Sequence, residues 1–165
     1  MLQLTNDEYE LVKTHTILGF NMVRQLNLND HIKNVVLMHH ERMDGTGYPY
    51  QFTGNKIDIY ARYIAIIDAY TAMASPRSYR SALSPLQILG ILEQSLEKYD
   101  VELLMPLLRR IADVQIGTGV LLNDDTSWEV LIIHSNKLSR PILRNENNEI
   151  LDLLEHPELK IAKSL

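Results

Sequence analysis

The chain has 165 residues, 45% of them hydrophobic and 22% charged, with a formal net charge of -5 and no cysteine. That length and balance describe an ordinary domain able to bury a core unaided, and the missing thiols exclude disulfides and thiolate metal sites. An acidic chain is a poor ligand for duplex DNA or an anionic membrane, both of which need a broad basic surface. No basic-then-apolar leader precedes the first helix, and no apolar run approaches the ~20 residues that span a bilayer. A cytoplasmic chain without a membrane segment is expected.

The first helix is signalled at Thr5 and Glu8, which stand in capping-box spacing. Behind them Leu11, His15, Leu18, Met22 and Leu26 recur at three- and four-residue steps, which predicts a buried stripe with His15 inside it. A second helix is predicted from about Asp30, carrying Ile32, Val35 and Val36 and then His39 and His40 before Asp44-Gly45 breaks it. The loop "MDGTGYPYQFTGN" follows, with Pro49 holding Tyr48 extended. A third helix is predicted from about Asp58 to Ala74, with Ala61, Ile64, Ala65, Asp68, Thr71 and Ala72 on one face.

Ser84-Pro85 marks another helix start, a hydroxyl cap followed by proline at the first helical position. Leu86, Leu89, Leu92 and Leu96 mark its buried face. A fifth helical segment follows Asp100, and Pro106 is expected to kink or split it. After about Asp113 the texture changes to short runs rich in Val, Ile and Leu, divided by Gly, Asn and Asp. These read as two or three short strands, marginal alone and so packed on the helices. The expected organisation is a helical domain over residues 1–112 and a short-stranded β appendage over 113–165.

Metal chemistry wants neutral imidazoles and carboxylates converging from separate rigid elements. His15, His39, His40 and Asp68 come from three predicted helices. Each also has a structural alternative: a helix histidine bonded to a carbonyl, or a carboxylate paired within the core. Taken together the four favour a metal site. His31, His134 and His156 have no such context and are read as surface, loop or strand residues.

"HHERMDGTGYP", then "YARYIAIIDAYTAM", then "RSYR", in this order and spacing, resemble the second half of an HD-GYP domain. The opening "LTNDEYELVKTHTILGFNMV", with His15 four residues before Gly19, is similar to another helix of that family. "VLLND" and "RPIL" are similar to a β extension attached to its bacterial members. The resemblance implies a mainly α, HD-domain-like helical bundle with a small C-terminal β extension. It further implies metal-dependent hydrolysis of cyclic di-GMP by metal-bound hydroxide, on two or three ions, with iron or manganese the usual metals. His15, His39 and His40 match ligands of one metal and Asp68 a ligand of another. Gly47, Tyr48 and Pro49 match the GYP triplet that borders the substrate site. Arg77 and Arg80 match basic positions that hold phosphate and guanine, though Ser78 stands where the family has proline. Guanidinium forks suit phosphate oxygens; the alternative is two solvated surface charges.

The family's His-Asp step is missing. The six histidines are followed by Thr, Ile, His, Glu, Ser and Pro. The resemblance would set that step before "LTNDEYE", so the chain is expected to be a truncated bundle, weakly active or inactive alone, with bared apolar surface. Expected partners are a cyclic dinucleotide and a signalling protein, a complementing N-terminal segment or a second copy. The alternative is a non-catalytic module for dinucleotide binding or protein interaction.

Overall fold

The computed structural model describes residues 5–76 and 81–165. Two compact units emerge: one holds the described residues up to Ala72 together with Leu96–Leu104, the other Met73–Pro76, Ser81–Ser95 and Met105–Leu165. The architecture is mainly α, an HD-like set of helices followed by a C-terminal sheet.

In the first unit, α1 (Asn6–Lys13) begins with the expected box: Glu8 N donates to the Thr5 hydroxyl and Thr5 N to the Glu8 carboxylate. One helix was expected from here to Leu26, but Thr14 separates α1 from α2 (His15–Val23). Its hydroxyl turns back to the Leu11 carbonyl, a local bond that competes with the helical ladder. The stripe of Leu11, Leu18, Met22 and Leu26 is not buried: Leu11 and Met22 are each 72% exposed, and His15 is exposed as well. The shielded face is one position over, running through Lys13, Thr16, Gly19, Phe20 and Val23. Gly19 explains the choice. A Cβ there would meet Val36 Cγ1 of α3 (Asp30–Met38) at 3.0 Å, so the glycine lets the two helix backbones approach.

Helix α4 (Ile59–Ala74) buries Ala61, Ala65 and Ile66. Ile64, expected on that face, is 39% exposed. Arg62 is structural: it donates from Nε to the Ile57 carbonyl and pairs with Asp100 at 3.1 Å, just before α6 (Val101–Asp113). Helix α6 runs through Pro106 without a split, one of the two outcomes expected there. Leu104, Leu108 and Ala112 form its buried stripe, whereas Pro106 and Glu102 are exposed. The bond that proline deletes therefore lies on the outer, solvent-exposed face, where its loss costs least.

The second unit contains α5 (Pro85–Glu93), started by a Ser84–Gln87 capping box and burying Leu86, Ile88, Leu89 and Leu92. Its sheet has five antiparallel strands: β1 (Gly119–Leu122), β2 (Ser127–Ile132), β3 (Ile142–Arg144), β4 (Ile150–Asp152) and β5 (Ile161–Ser164), in spatial order β4-β3-β2-β1-β5. Two or three strands were expected; β5 escaped because Ala162, Lys163 and Ser164 are weak strand formers. Gln87 Nε2 donates to the carbonyls of Ile161 and Ala162, so α5 ties down that edge strand. Val120, Leu122, Val130, Leu143 and Ile161 are the sheet's buried residues. Among the described residues no helix is long and apolar enough to cross a membrane.

Arg140 acts as a tether in this unit. Its guanidinium donates to the carbonyls of Leu153, His156 and Leu159, holding the segment between β4 and β5. Replacing it by Met strands these acceptors, and an Arg140→Met variant is expected to lose roughly 2 kcal/mol in urea unfolding. Gly19→Val forces a branched side chain onto Val36 and is expected to cost about 1–3 kcal/mol in the same measurement.

Candidate metal centre

Three histidines meet where α2 begins and α3 ends. His15 is the first residue of α2, His39 caps α3, and His40 follows at the head of the glycine-rich loop. The His15 and His39 rings are 5.3 Å apart, His15 and His40 5.1 Å, and His39 and His40 4.2 Å. One potential ligand atom from each lies within 4.8 Å of the others. The Gly19 contact produces this meeting, because it sets α2 against α3 one turn before His39.

The hydrogen bonds assign the tautomers. His15 Nδ1 lies 2.6 Å from the Val12 carbonyl, and His39 Nδ1 lies 3.0 Å from that of Val35 and 3.1 Å from that of Val36. A carbonyl only accepts, so both Nδ1 atoms carry protons. The two Nε2 atoms face each other at 3.2 Å. In neutral rings these are two lone pairs in contact, which is repulsive unless a proton or a cation lies between them. Metal–nitrogen bonds of about 2.0–2.1 Å put neighbouring ligand nitrogens about 2.9–3.4 Å apart. The observed pair fits that spacing, and the carbonyls supply the outer bonds that orient metal-ligating imidazoles. His40 adds a neutral donor: burial, and then the neighbouring His39, push its pKa down to about 4 against the pull of Asp68.

Asp68 comes from α4 with its carboxylate 3.8 Å from His40 Nδ1, too far for a hydrogen bond. Its side chain is 44% exposed, so burial does not force it to take a partner. Arg77 and Arg80 lie outside the described residues.

Gly47, Tyr48 and Pro49 line a cavity of about 480 Å³ beside the histidines, together with Tyr9, Lys13 and Thr14. Tyr48 stacks on His40, centroids 4.7 Å apart and planes 28° from parallel. Burial, and then Tyr9, push its phenol up to about 12, so the hydroxyl remains a donor. Gly47 is enforced by close approach: a Cβ would come within 2.5 Å of the backbone at His40, Glu41 and Arg42. Sequence reasoning passed over Glu41. It is only 1% exposed, and its two carboxylate oxygens accept the backbone N–H groups of Tyr50 and Phe52 at 2.8 and 3.0 Å. A buried carboxylate satisfied by loop amides anchors that loop to the helix end; an acidic residue directly after His40 was the available signal.

His31 is an exposed residue of α3, in keeping with the surface reading. Its Nδ1 pairs with Asp58 at 2.7 Å, and Asn34 donates to the same oxygen. His134 pairs with Asp152 and His156 with Glu158.

A family model described as HD domain matches residues 2–103. A cyclic di-GMP phosphodiesterase of Borreliella burgdorferi, PdeB, is 26% identical over 160 residues, 95% of this chain and 42% of the relative. A cyclic di-GMP phosphodiesterase of Pseudomonas aeruginosa is 29% identical over 142 residues, 84% of this chain and 34% of the relative. A 3'3'-cGAMP-specific phosphodiesterase of Vibrio cholerae is 30% identical over 94 residues, 57% of this chain and 20% of the relative. The chain thus spans less than half the length of these relatives. With the HD model covering most of the chain and "HHERMDGTGYP" carrying the histidine pair and the GYP triplet, the chain belongs to the HD domain family, in its HD-GYP branch.

Proposed function

We propose that this chain supplies the three-histidine side of the metal centre in a cyclic dinucleotide phosphodiesterase. The observation that carries the reading is the His15–His39 pair, with two Nε2 atoms at 3.2 Å and both Nδ1 protons committed to carbonyls. His15, His39 and His40 hold the ion, and Asp68 serves a neighbouring one. When bound, a divalent ion such as iron or manganese supplies positive charge to phosphoryl oxygens and lowers the pKa of water.

The protein's own groups bind and orient. The Val12 and Val35 carbonyls keep the ring tautomers fixed, and Tyr48 stands in the wall of the cavity that receives the ligand, its phenol protonated and able to donate. Arg77 and Arg80 are assigned to the phosphates on the family pattern alone. The substrate class is a cyclic dinucleotide. Cyclic di-GMP is preferred because two of the relatives described above act on it by name, with 3'3'-cGAMP the alternative.

A carboxylate bridging two ions fixes their spacing for in-line hydrolysis. The chain has no His-Asp step, and Asp68 is the carboxylate beside the trio. The isolated chain therefore binds one ion and turns over slowly or not at all. The exposed stripe of Leu11, Leu18 and Met22 is then the surface on which a complementing helical segment or a second copy packs. A second reading, a module that binds the dinucleotide without hydrolysing it, is favoured by the cavity standing beside an incomplete ligand set.

Calorimetric titration with manganese, and anaerobically with ferrous iron, is expected to give about one ion per chain, and His39→Asn is expected to abolish binding. Chromatography of cyclic di-GMP and 3'3'-cGAMP incubated with the loaded chain is expected to show at most traces of product. Absence of metal binding by the unaltered chain overturns the metal centre, whereas rapid turnover overturns its incompleteness.

A further inference from the structure

The cavity beside the histidines contains a cation that the metal centre does not use. Lys13, in the last turn of α1, places Nζ 4.8 Å from the centroid of the Tyr9 ring and 5.9 Å from that of Tyr48. The same ammonium pairs with Glu10 at 2.6 Å. All four side chains line the cavity, and Lys13 lies two residues before His15.

We propose that Lys13 is the phosphate-binding cation of this cavity, with Glu10 as the counter-ion that an incoming phosphodiester displaces. The proposal rests on the cyclic-dinucleotide reading given above. Three features support it. First, beside the Glu10 carboxylate the cavity presents three donors, the Lys13 ammonium and the Tyr9 and Tyr48 hydroxyls, and neither hydroxyl bonds to another described residue. With Glu10 turned away, those donors suit an anion.

Second, the two rings fix where the ammonium sits. Their faces attract it, so a long flexible side chain is held beside the histidine trio rather than free in solvent. Tyr48 carries that placement to the centre, because its ring also stacks on His40.

Third, the present partner is replaceable. Glu10 is 67% exposed and only one turn away on the same helix, and an exposed pair of this kind contributes little to stability. A phosphodiester between Lys13 and the metal-side imidazoles gains a charge-assisted bond, while the Glu10 carboxylate returns to water.

The test titrates cyclic di-GMP into the manganese-loaded chain by calorimetry, comparing the unaltered protein with Lys13→Met, Lys13→Arg and Glu10→Gln. Lys13→Met keeps the apolar stem on the rings and removes the charge. It is expected to weaken dinucleotide binding about tenfold, in line with one lost bond to a charged group, with manganese affinity unchanged. Lys13→Arg is expected to restore most of the affinity, and Glu10→Gln to tighten binding a few-fold. Equal dinucleotide affinity in Lys13→Met and the unaltered chain overturns the assignment and leaves the cyclic-dinucleotide reading standing. Loss of manganese binding in Lys13→Met overturns it as well, because the lysine then acts through His15. An unaltered loaded chain that binds no cyclic di-GMP or 3'3'-cGAMP overturns both.

Discussion

Two lone pairs pointing at each other organise this protein's candidate site. Neutral imidazoles avoid such an arrangement, and here both rings are locked into it by Nδ1 protons given to carbonyls one turn back along the chain, Val12 in α1 for His15 and Val35 in α3 for His39. The repulsion has to be held by something else in the fold. Gly19 does that, since without a side chain at this position α2 and α3 approach closely enough to bring His15 to His39. The chain therefore maintains, through helix packing, a geometry that a proton or a metal ion relieves.

The loop is held with comparable care. Glu41 is buried with its charge on two loop amides, Gly47 passes where no Cβ fits, and the ring of Tyr48 lies on His40. Each links the end of α3 to the wall of the neighbouring cavity. A shift in the loop moves Tyr48, and through it the ring of His40, so the donor set and the cavity wall behave as one piece.

The sequence announced the parts of this arrangement that depend on local chemistry. The capping box at Thr5, the hydroxyl cap and proline at Ser84-Pro85 and the helical span ending at Ala74 are written in a few adjacent residues. The histidine pair before a glycine-rich loop was legible for the same reason. What failed depends on tertiary choice. The strongest apolar stripe of the first helices, through Leu11 and Met22, lies exposed, and the helices pack instead through Thr16 and Gly19 one position away. Two stripes of the same period cannot be ranked by periodicity, and hydrophobicity pointed to the other one. Pro106 does not split α6 because its cost depends on which face it occupies, and β5 was missed because pairing with β1 and a Gln87 side chain, not propensity, make it a strand. Glu41 was passed over because the Tyr50 and Phe52 amides it binds are brought to it only by the folded loop.

The position of the trio adds an electrostatic argument to the geometric one. His39 and His40 follow directly on the last residue of α3, where the helix dipole presents its negative end. His15 leans on a carbonyl from the last turn of α1. A cation among the three rings is thus favoured by the end of α3, and by carbonyl oxygens that increase the donor strength of the rings through their Nδ1 protons. An anion in the adjoining cavity gains nothing from that helix end and must be held by side chains. On the proposed reading the fold separates the two tasks: helix ends and imidazoles for the positive charge, and the Tyr9, Lys13 and Tyr48 wall for the negative one. On that reading an overall acidic chain receives the phosphodiester through Lys13, the lysine that this wall presents.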